Sequence, residues 1–157
     1  MSSTRFEKIP GWRDGDYSEQ PLGLLIAKET SFLMGSNPIL RQQQMPTLAE
    51  SDAALDAAVA MSPLADANDV LYQVEASFDY DPGPQLGSIR AHLLAVNSAD
   101  DLINPPELGI LERDITRVPK GRAVVLPLSP ATRGHGTHTL AALWKKYLDE
   151  LLAMSGQ

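Results

Sequence analysis

The second half of the chain constrains the fold most, because two short apolar runs flank a stretch with helical character. These runs, 92–97 (HLLAVN) and 122–128 (RAVVLPL), have the length and composition of strands. Two strands joined through a helix form a right-handed βαβ unit and lie parallel. Parallel strands are normally covered on both faces, and two strands bury little surface. The pattern therefore predicts the end of a larger α/β sheet whose earlier strands are absent, leaving an open strand edge.

The stretch between the strands carries its own start and stop signals. Asn104 can cap a helix and Pro105 fits its first turn, while Pro119 and Gly121 can end it. An apolar stripe runs between them, made of Leu108, Leu111, Ile115 and Val118. We expect one crossover helix here and a second, amphipathic helix over 140–152, where leucines and aromatic residues recur at helical spacing.

The first half has a different pattern, and the change falls in a segment rich in proline and glycine at 79–88. Before it, helical periodicity dominates. Three helices are predicted, over 21–34, 49–60 and 67–78, with proline- and glutamine-containing connectors between them. We therefore divide the chain into a helical segment, 1–88, and a β-α-β-α segment, 89–157.

Composition excludes several classes of protein. Thirteen Lys and Arg against twenty Asp and Glu give a net charge of −7, which disfavours a nucleic-acid-binding face. The absence of cysteine excludes a thiolate nucleophile, disulfides and cysteine-ligated metals. The sequence has no signal-peptide pattern and no apolar run near the ~18 residues of a membrane span. We expect a soluble, cytoplasmic protein that binds neither nucleic acid nor membrane.

The residues with chemical potential follow the two predicted strands. Asp100 and Asp101 follow the first strand, and His135 and His138 follow the second. The carboxyl ends of parallel strands are where reactive groups collect in open α/β sheets. Acid followed by histidine is also the order in which α/β hydrolases complete a Ser-His-Asp relay. In such a relay the carboxylate fixes the imidazole tautomer, and the imidazole takes the serine proton.

Two other interpretations use the same residues. His135 and His138 have H-x-x-H spacing and could bind a metal with Asp100 or Asp101, but zinc usually needs a third nitrogen or sulfur ligand. The remaining histidine, His92, begins a strand, so we predict no metal and no cofactor. Alternatively, Asp101 is a capping carboxylate and His135 a solvated loop residue between glycines.

At these residues the chain resembles a known family. The run 97–148, NSADDLINPPELGILERDITRVPKGRAVVLPLSPATRGHGTHTLAALWKKYL, resembles the C-terminal end of homoserine O-acetyltransferase-like α/β hydrolases. The run 11–36, GWRDGDYSEQPLGLLIAKETSFLMGS, resembles the helical insertion that precedes it in that family. The resemblance implies the C-terminal half of an α/β-hydrolase fold: a helical lid segment, then strand-helix-strand-helix with parallel strands, and a missing N-terminal half.

The resemblance also implies roles for individual residues. The family's catalytic aspartate lies four positions before a proline, which matches Asp101 and Pro105, with Asp100 a nearby competitor. Its histidine follows a glycine, which matches His135 and leaves His138 inside the start of the last helix. The implied catalytic residues are therefore Asp101 and His135.

The implied reaction is acyl transfer from an acyl thioester to an alcohol, or ester hydrolysis when water replaces the alcohol. No serine in the sequence lies in the G-x-S-x-G elbow that carries the nucleophile of such enzymes. We therefore expect a fragment that contributes the Asp and His but lacks the Ser nucleophile, and that is inactive in isolation. The alternative is a non-catalytic remnant of an α/β hydrolase that associates with a copy of itself, or with the missing half, through its exposed strand edge.

Overall fold

The structure, a computed structural model, describes residues 11–61 and 66–155. Its helices and strands are, in chain order, α1 (Leu22–Met34), α2 (Pro38–Gln44), α3 (Leu48–Met61), α4 (Ala67–Glu75), β1 (Leu93–Ser98), α5 (Ile110–Ile115), β2 (Gly121–Leu126) and α6 (Ala141–Ser155). Short 3-10 turns lie at Arg13–Gly15, Gly83–Ser88, Pro106–Leu108 and Gly136–Thr139. Residues 1–10, half of the segment on which the expectation of no signal peptide rests, lie outside the described ranges.

No helix in the described ranges is both long and apolar enough to cross a membrane. The cytoplasmic location stays a prediction from the sequence.

The described residues pack as two compact units. The first unit consists of the described residues up to Leu33 together with those of Met45–Tyr80. The second consists of Met34–Gln44 and the residues from Asp81 onward. The second unit therefore contains a short helical segment that comes from the first half of the sequence. The lid role of 1–88 stays a prediction.

The first unit has a small apolar core of Trp12, Leu24, Ala67 and Leu71, against which Tyr17 and Val70 pack. The three helices predicted in this part of the sequence are confirmed as α1, α3 and α4. Helix α4 ends at Glu75, three residues earlier than expected, because the Ser77 hydroxyl donates to the Val74 carbonyl and closes the helix end. The connector before α3 contains a helix that the periodicity does not predict, α2.

The two predicted strands are confirmed, and they pair in parallel. Leu93 aligns with Gly121 at one end of the ladder, and Ser98 aligns with Leu126 at the other. Because both strands stop at the same level, the segments that follow them emerge from the same edge of the sheet. This alignment brings the loop after β1 next to the loop after β2.

The crossover segment differs from the single helix expected between Asn104 and Val118. A 3-10 turn, Pro106–Leu108, comes first, and α5 begins only after Gly109. Gly109 has φ 63°, a left-handed conformation that interrupts a helix and that glycine adopts at little cost. Asn104 is not a helix cap, since the 3-10 turn is preceded by Pro105 and α5 by Gly109, and neither start has a side-chain cap.

The start of the last helix also differs from the sequence expectation. His138 lies in the 3-10 turn Gly136–Thr139 and not inside the start of α6. Leu140, with φ −102° and ψ 76°, separates this turn from the helix. The histidine-containing segment is therefore a compact loop attached to the end of β2.

Candidate functional site

The structure brings Asp101 and His135 together at the carboxyl edge of the sheet. The Nδ1 atom of His135 lies 3.0 Å from Oδ2 of Asp101, although the residues are 34 positions apart in the sequence. The aspartate side chain is almost fully buried, with 6% exposed, whereas 35% of the imidazole is exposed. The pair thus has one end enclosed in protein and the other open to approach.

Asp101 is held by the turn that it begins. Its Oδ1 accepts the backbone N–H groups of Ile103, at 2.8 Å, and Asn104, at 2.9 Å. Burial acts to raise the pKa of Asp101, but the Asn104 amide, His135 and the Ile103 amide together outweigh it and leave the pKa below its usual value. The side chain is therefore ionised at neutral pH and accepts hydrogen bonds at both oxygens.

This carboxylate fixes the tautomer of His135. An ionised carboxylate accepts hydrogen bonds but donates none, so the proton of the neutral ring resides on Nδ1. The other nitrogen, Nε2, then carries a free lone pair, and no residue in the described ranges makes a hydrogen bond to it. Such an Nε2 atom is the group that accepts a proton in general base catalysis.

His135 lines a cavity of about 870 Å³. Most of the wall is apolar, and Leu93, Val96 and Val118 are among its side chains. Asp101 and His138 also contribute to it. Its size falls within the range of known small-molecule sites, in which a few polar groups are set in an apolar wall.

Among the described residues, Asp100 makes no hydrogen bond to His135 and has other partners. Its Oδ2 accepts the Gly134 N–H at 2.9 Å and the side-chain amide of Asn37 at 2.6 Å, while its Oδ1 accepts the Ser98 hydroxyl. Of the two aspartates left open by the sequence, Asp101 is the one beside the imidazole.

The loop after β2 lies against the segment that precedes α2. The Gly136 N–H donates to the Gly35 carbonyl at 3.1 Å. Gly134 has φ 59°, and a Cβ atom on it would lie 2.7 Å from the Ser36 backbone. A side chain at position 134 therefore cannot be accommodated without moving one of these two backbones.

Four buried polar residues of this site were not identified by the sequence analysis. They are Asn37, Ser98, Thr132 and Thr137, each 3% exposed. Only Asn37 has a recognisable sequence signal, since an Asn followed by proline is typical of a helix start. Its side-chain oxygen does accept the Leu40 N–H at 2.7 Å in the first turn of α2.

His138 lies next to His135 but has a different set of contacts. Its Nδ1–H donates to the His135 carbonyl at 2.6 Å, and the two ring centres are 5.1 Å apart. Among the described residues no group of three or more His, Asp and Glu side chains is placed to hold a metal ion. The absence of a metal or cofactor stays a prediction.

Comparison with known proteins bears on the fold. No protein-family model matches the sequence, and no curated protein matches it. The fold is that of part of an α/β-hydrolase-like chain. The crystal structure of homoserine O-acetyltransferase from Bacillus anthracis superposes with a TM-score of 0.72 and 20% sequence identity.

The match covers 95% of this chain and 46% of that chain, so this chain spans less than half the length of the solved structure. At this identity the similarity establishes the fold, and the chemistry of this chain has to be argued from its own residues.

Proposed function

We propose that this chain supplies the Asp-His pair of a serine-relay acyltransferase or hydrolase. The observation that carries the proposal is the 3.0 Å contact between the buried Asp101 carboxylate and Nδ1 of His135. It leaves Nε2 free beside an apolar cavity. In this proposal Asp101 orients the imidazole and stabilises its cationic form, and His135 is the general base.

The proposed reaction is acyl transfer to an alcohol, or hydrolysis when water replaces the alcohol. His135 Nε2 accepts the proton of an attacking hydroxyl as its oxygen adds to the acyl carbonyl, and then returns the proton to the leaving group. The apolar wall of the cavity suits an acyl chain better than a charged group, and we propose an acyl thioester as the donor class. Homoserine is the acceptor named for the structural neighbour, and for this chain we propose an alcohol as the acceptor class.

In our proposal, the serine nucleophile of this relay comes from a polypeptide segment outside these 157 residues. None of the serines in the chain lies between glycines in a G-x-S-x-G elbow. Ser98, at the end of β1, is 3% exposed and donates its hydroxyl to Asp100, so it is not available as the nucleophile. Full acyl transfer therefore requires more than this chain, and a test on the isolated chain has to address the imidazole alone.

The imidazole can be tested with 4-nitrophenyl acetate. A basic Nε2 attacks the activated ester carbonyl, forms a C–N bond and expels 4-nitrophenolate, and water then hydrolyses the acyl-imidazole. We expect the chain to release nitrophenolate above the buffer rate, and His135→Ala to remove most of that excess.

The matched control is His92→Gln, which changes the residue directly before β1. It removes another of the three histidines of the chain and should keep the full rate. A His135→Ala variant that stays folded by circular dichroism and still cleaves the ester at the unaltered rate would falsify the proposal.

A second candidate function rests on the sheet. In the described ranges β1 pairs only with β2, and Leu93 and Val96 on β1 are each more than one third exposed. A parallel strand with such exposure can add a further strand at its free edge. We propose as the alternative a non-catalytic protein that self-associates through β1. Light scattering during gel filtration tests it, because a monomer across the micromolar range would contradict self-association.

A further inference from the structure

The acidic residue beside Asp101 holds the backbone that carries His135. Asp100 Oδ2 accepts the N–H of Gly134, at 2.9 Å, and Gly134 directly precedes His135 in the chain. The carboxylate therefore acts on the peptide unit next to the imidazole, and not on the ring itself.

Asn37 connects the same carboxylate to a second point of the loop. Its side-chain amide donates to Asp100 Oδ2 at 2.6 Å and to the Thr132 carbonyl at 3.2 Å. Its oxygen is used by the Leu40 N–H at the start of α2. Every polar atom of this buried side chain is thus engaged, and Asn37 ties the start of α2 to both loops.

The other Asp100 oxygen leads to the far side of His135. It accepts the hydroxyl of Ser98, which in turn accepts the hydroxyl of Thr137 at 3.4 Å. Thr137 also accepts the Arg133 N–H at 2.9 Å through the same hydroxyl oxygen. The loop is therefore tied to Asp100 on both sides of the histidine, at Gly134 before it and at Thr137 after it.

We propose that Asp100, together with Asn37, is a positioning residue that holds His135 where its ring can hydrogen-bond to Asp101. The proposal rests on the proposed function for its catalytic meaning, but the geometry it predicts can be measured independently. A carboxylate suits this position because Oδ2 receives two donors and Oδ1 a third. An asparagine side chain at this position would point its NH₂ group at one or more of these donors, and the hydrogen bonds there would be lost.

The charge state of Asp100 agrees with this role. Burial acts to raise the pKa of Asp100, but the hydrogen bonds from the Ser98 hydroxyl and the Gly134 amide act against burial, and the pKa lies below its usual value. The carboxylate is therefore ionised and accepts at both oxygens at neutral pH.

The test is the tautomer of His135 in Asp100→Asn, read from ¹⁵N chemical shifts of the ring at alkaline pH, where the imidazole is neutral. In the unaltered chain we expect the Nδ1–H form to dominate. In Asp100→Asn we expect the ratio of the Nδ1–H to the Nε2–H form to fall by about threefold to tenfold, the loss of roughly one hydrogen bond. The His135-dependent cleavage of 4-nitrophenyl acetate should fall in parallel.

Asp149→Asn is the matched control, because Asp149 is a carboxylate of the same unit that pairs with Lys145 at the surface and does not line the cavity. It should change neither readout. Asn37→Ala should repeat the Asp100→Asn effect, and the double variant should add little to either single change, since both act through one network.

A folded Asp100→Asn variant with an unchanged tautomer ratio overturns the proposal. If Asp100→Asn does not fold, the conservative Thr137→Val variant decides in the same way, because it removes one link of the network while keeping the side-chain shape. Failure of the proposed function looks different. In that case the tautomer ratio responds to Asp100→Asn, but ester cleavage does not depend on His135.

Discussion

Two aspartates in different units of the molecule accept similar sets of hydrogen bonds and differ in what they position. Asp66 accepts the Tyr17 hydroxyl at 2.7 Å, the Gln20 amide at 3.0 Å and the Asn68 N–H at 2.9 Å. Asp101 accepts two backbone N–H groups and the ring of His135. The pKa of each carboxyl is lowered, that of Asp66 first of all by the Tyr17 hydrogen bond.

The two carboxylates differ in the groups that donate hydrogen bonds to them. The Asp66 cluster caps α4 and joins it to neighbouring residues, and its partners are a phenol, an amide and a backbone N–H. The Asp101 cluster ends in an imidazole with a free nitrogen beside a cavity. A dense hydrogen-bond network or a lowered pKa therefore does not by itself mark a catalytic site. The informative feature is a basic atom that the network orients and leaves unused.

The largest expected difference between the two aspartates is in ester cleavage. Asp101→Asn should lower the His135-dependent rate of 4-nitrophenyl acetate cleavage by about tenfold to a hundredfold, because it removes a charge-assisted hydrogen bond to the ring. Asp66→Asn should leave the rate unchanged. The measurement is the initial rate of nitrophenolate release, with the His135→Ala rate subtracted. Equal losses in the two variants would remove the functional distinction drawn between the clusters.

The next largest difference between a variant and its control is in stability, at the close approach behind His135. Gly134→Ala should lower the free energy of unfolding by about 2–4 kcal/mol, the sum of left-handed backbone strain and a clash with the Ser36 backbone. Gly109→Ala is the control, since Gly109 has nearly the same φ, 63° against 59°, and no atom lies within 4 Å of its added Cβ. It should cost about 1–2 kcal/mol.

Urea unfolding monitored by fluorescence measures both glycine variants. If Gly134→Ala proved no more costly than Gly109→Ala, the loop after β2 would not be packed against the segment before α2 as described.

A smaller effect is expected in the first unit. Asp66→Ala removes the side chain that caps α4, so the backbone amide of Asn68 should exchange its hydrogen roughly fivefold faster, the usual loss for an N-cap. Hydrogen exchange followed by NMR measures this, and the amides of Ile103 and Asn104 serve as the internal control. Uniform acceleration in both groups would mean that the capping cluster stabilises more than its own unit.

The smallest effect is expected from lowering the pH. Burial raises the pKa values of Asp100 and Asp101 and so offsets part of the lowering that their hydrogen-bond donors cause. Their pKa values are lower in the folded chain than the usual value of about 3.9. Their stabilising contribution is therefore complete above that value and is lost as the pH falls through the folded-state values. The free energy of unfolding of the second unit should be level between about pH 7 and pH 5 and decline below about pH 4.

The two tryptophans allow the units to be followed separately, since Trp12 lies in the first and Trp144 in the second. Urea unfolding of a Trp12→Phe variant at a series of pH values reports the second unit. The Asp100→Asn/Asp101→Asn double variant should show a flatter acid response in that background. An acid response as steep as that of the parent would assign the loss to other groups.

Sequence patterns predicted the parts of the site that depend on local signals. Two apolar runs gave the parallel strands, and their order placed Asp101 and His135 at one edge. The residues alone leave Asp100 and Asp101 as alternatives, because adjacent residues in a loop have no periodicity that tells which one faces the imidazole, and only the family resemblance favours Asp101. Only the turn in which Asp101 accepts two backbone N–H groups settles which carboxylate contacts the ring.

The features that the sequence does not predict depend on contacts between residues far apart in the chain or on local backbone conformation. Asn37 lies 63 residues from Asp100 and 95 from Thr132, and nothing in its neighbourhood indicates those partners. Helix α2 is short and rich in glutamine, so it has no clear apolar stripe. The crossover helix is shorter than the sequence predicts. The apolar stripe continues across Gly109, but the left-handed backbone of that glycine interrupts the helix.

The six aligned residue pairs of β1 and β2 set the distance between Asp101 and His135. Inserting or deleting one residue within either strand would displace the start of the following loop by about 3.3 Å. That displacement is larger than the 3.0 Å gap between Nδ1 and Oδ2. Evolutionary change in length should therefore be tolerated far better around Ala131, in the exposed part of the loop, than between Ala123 and Leu126.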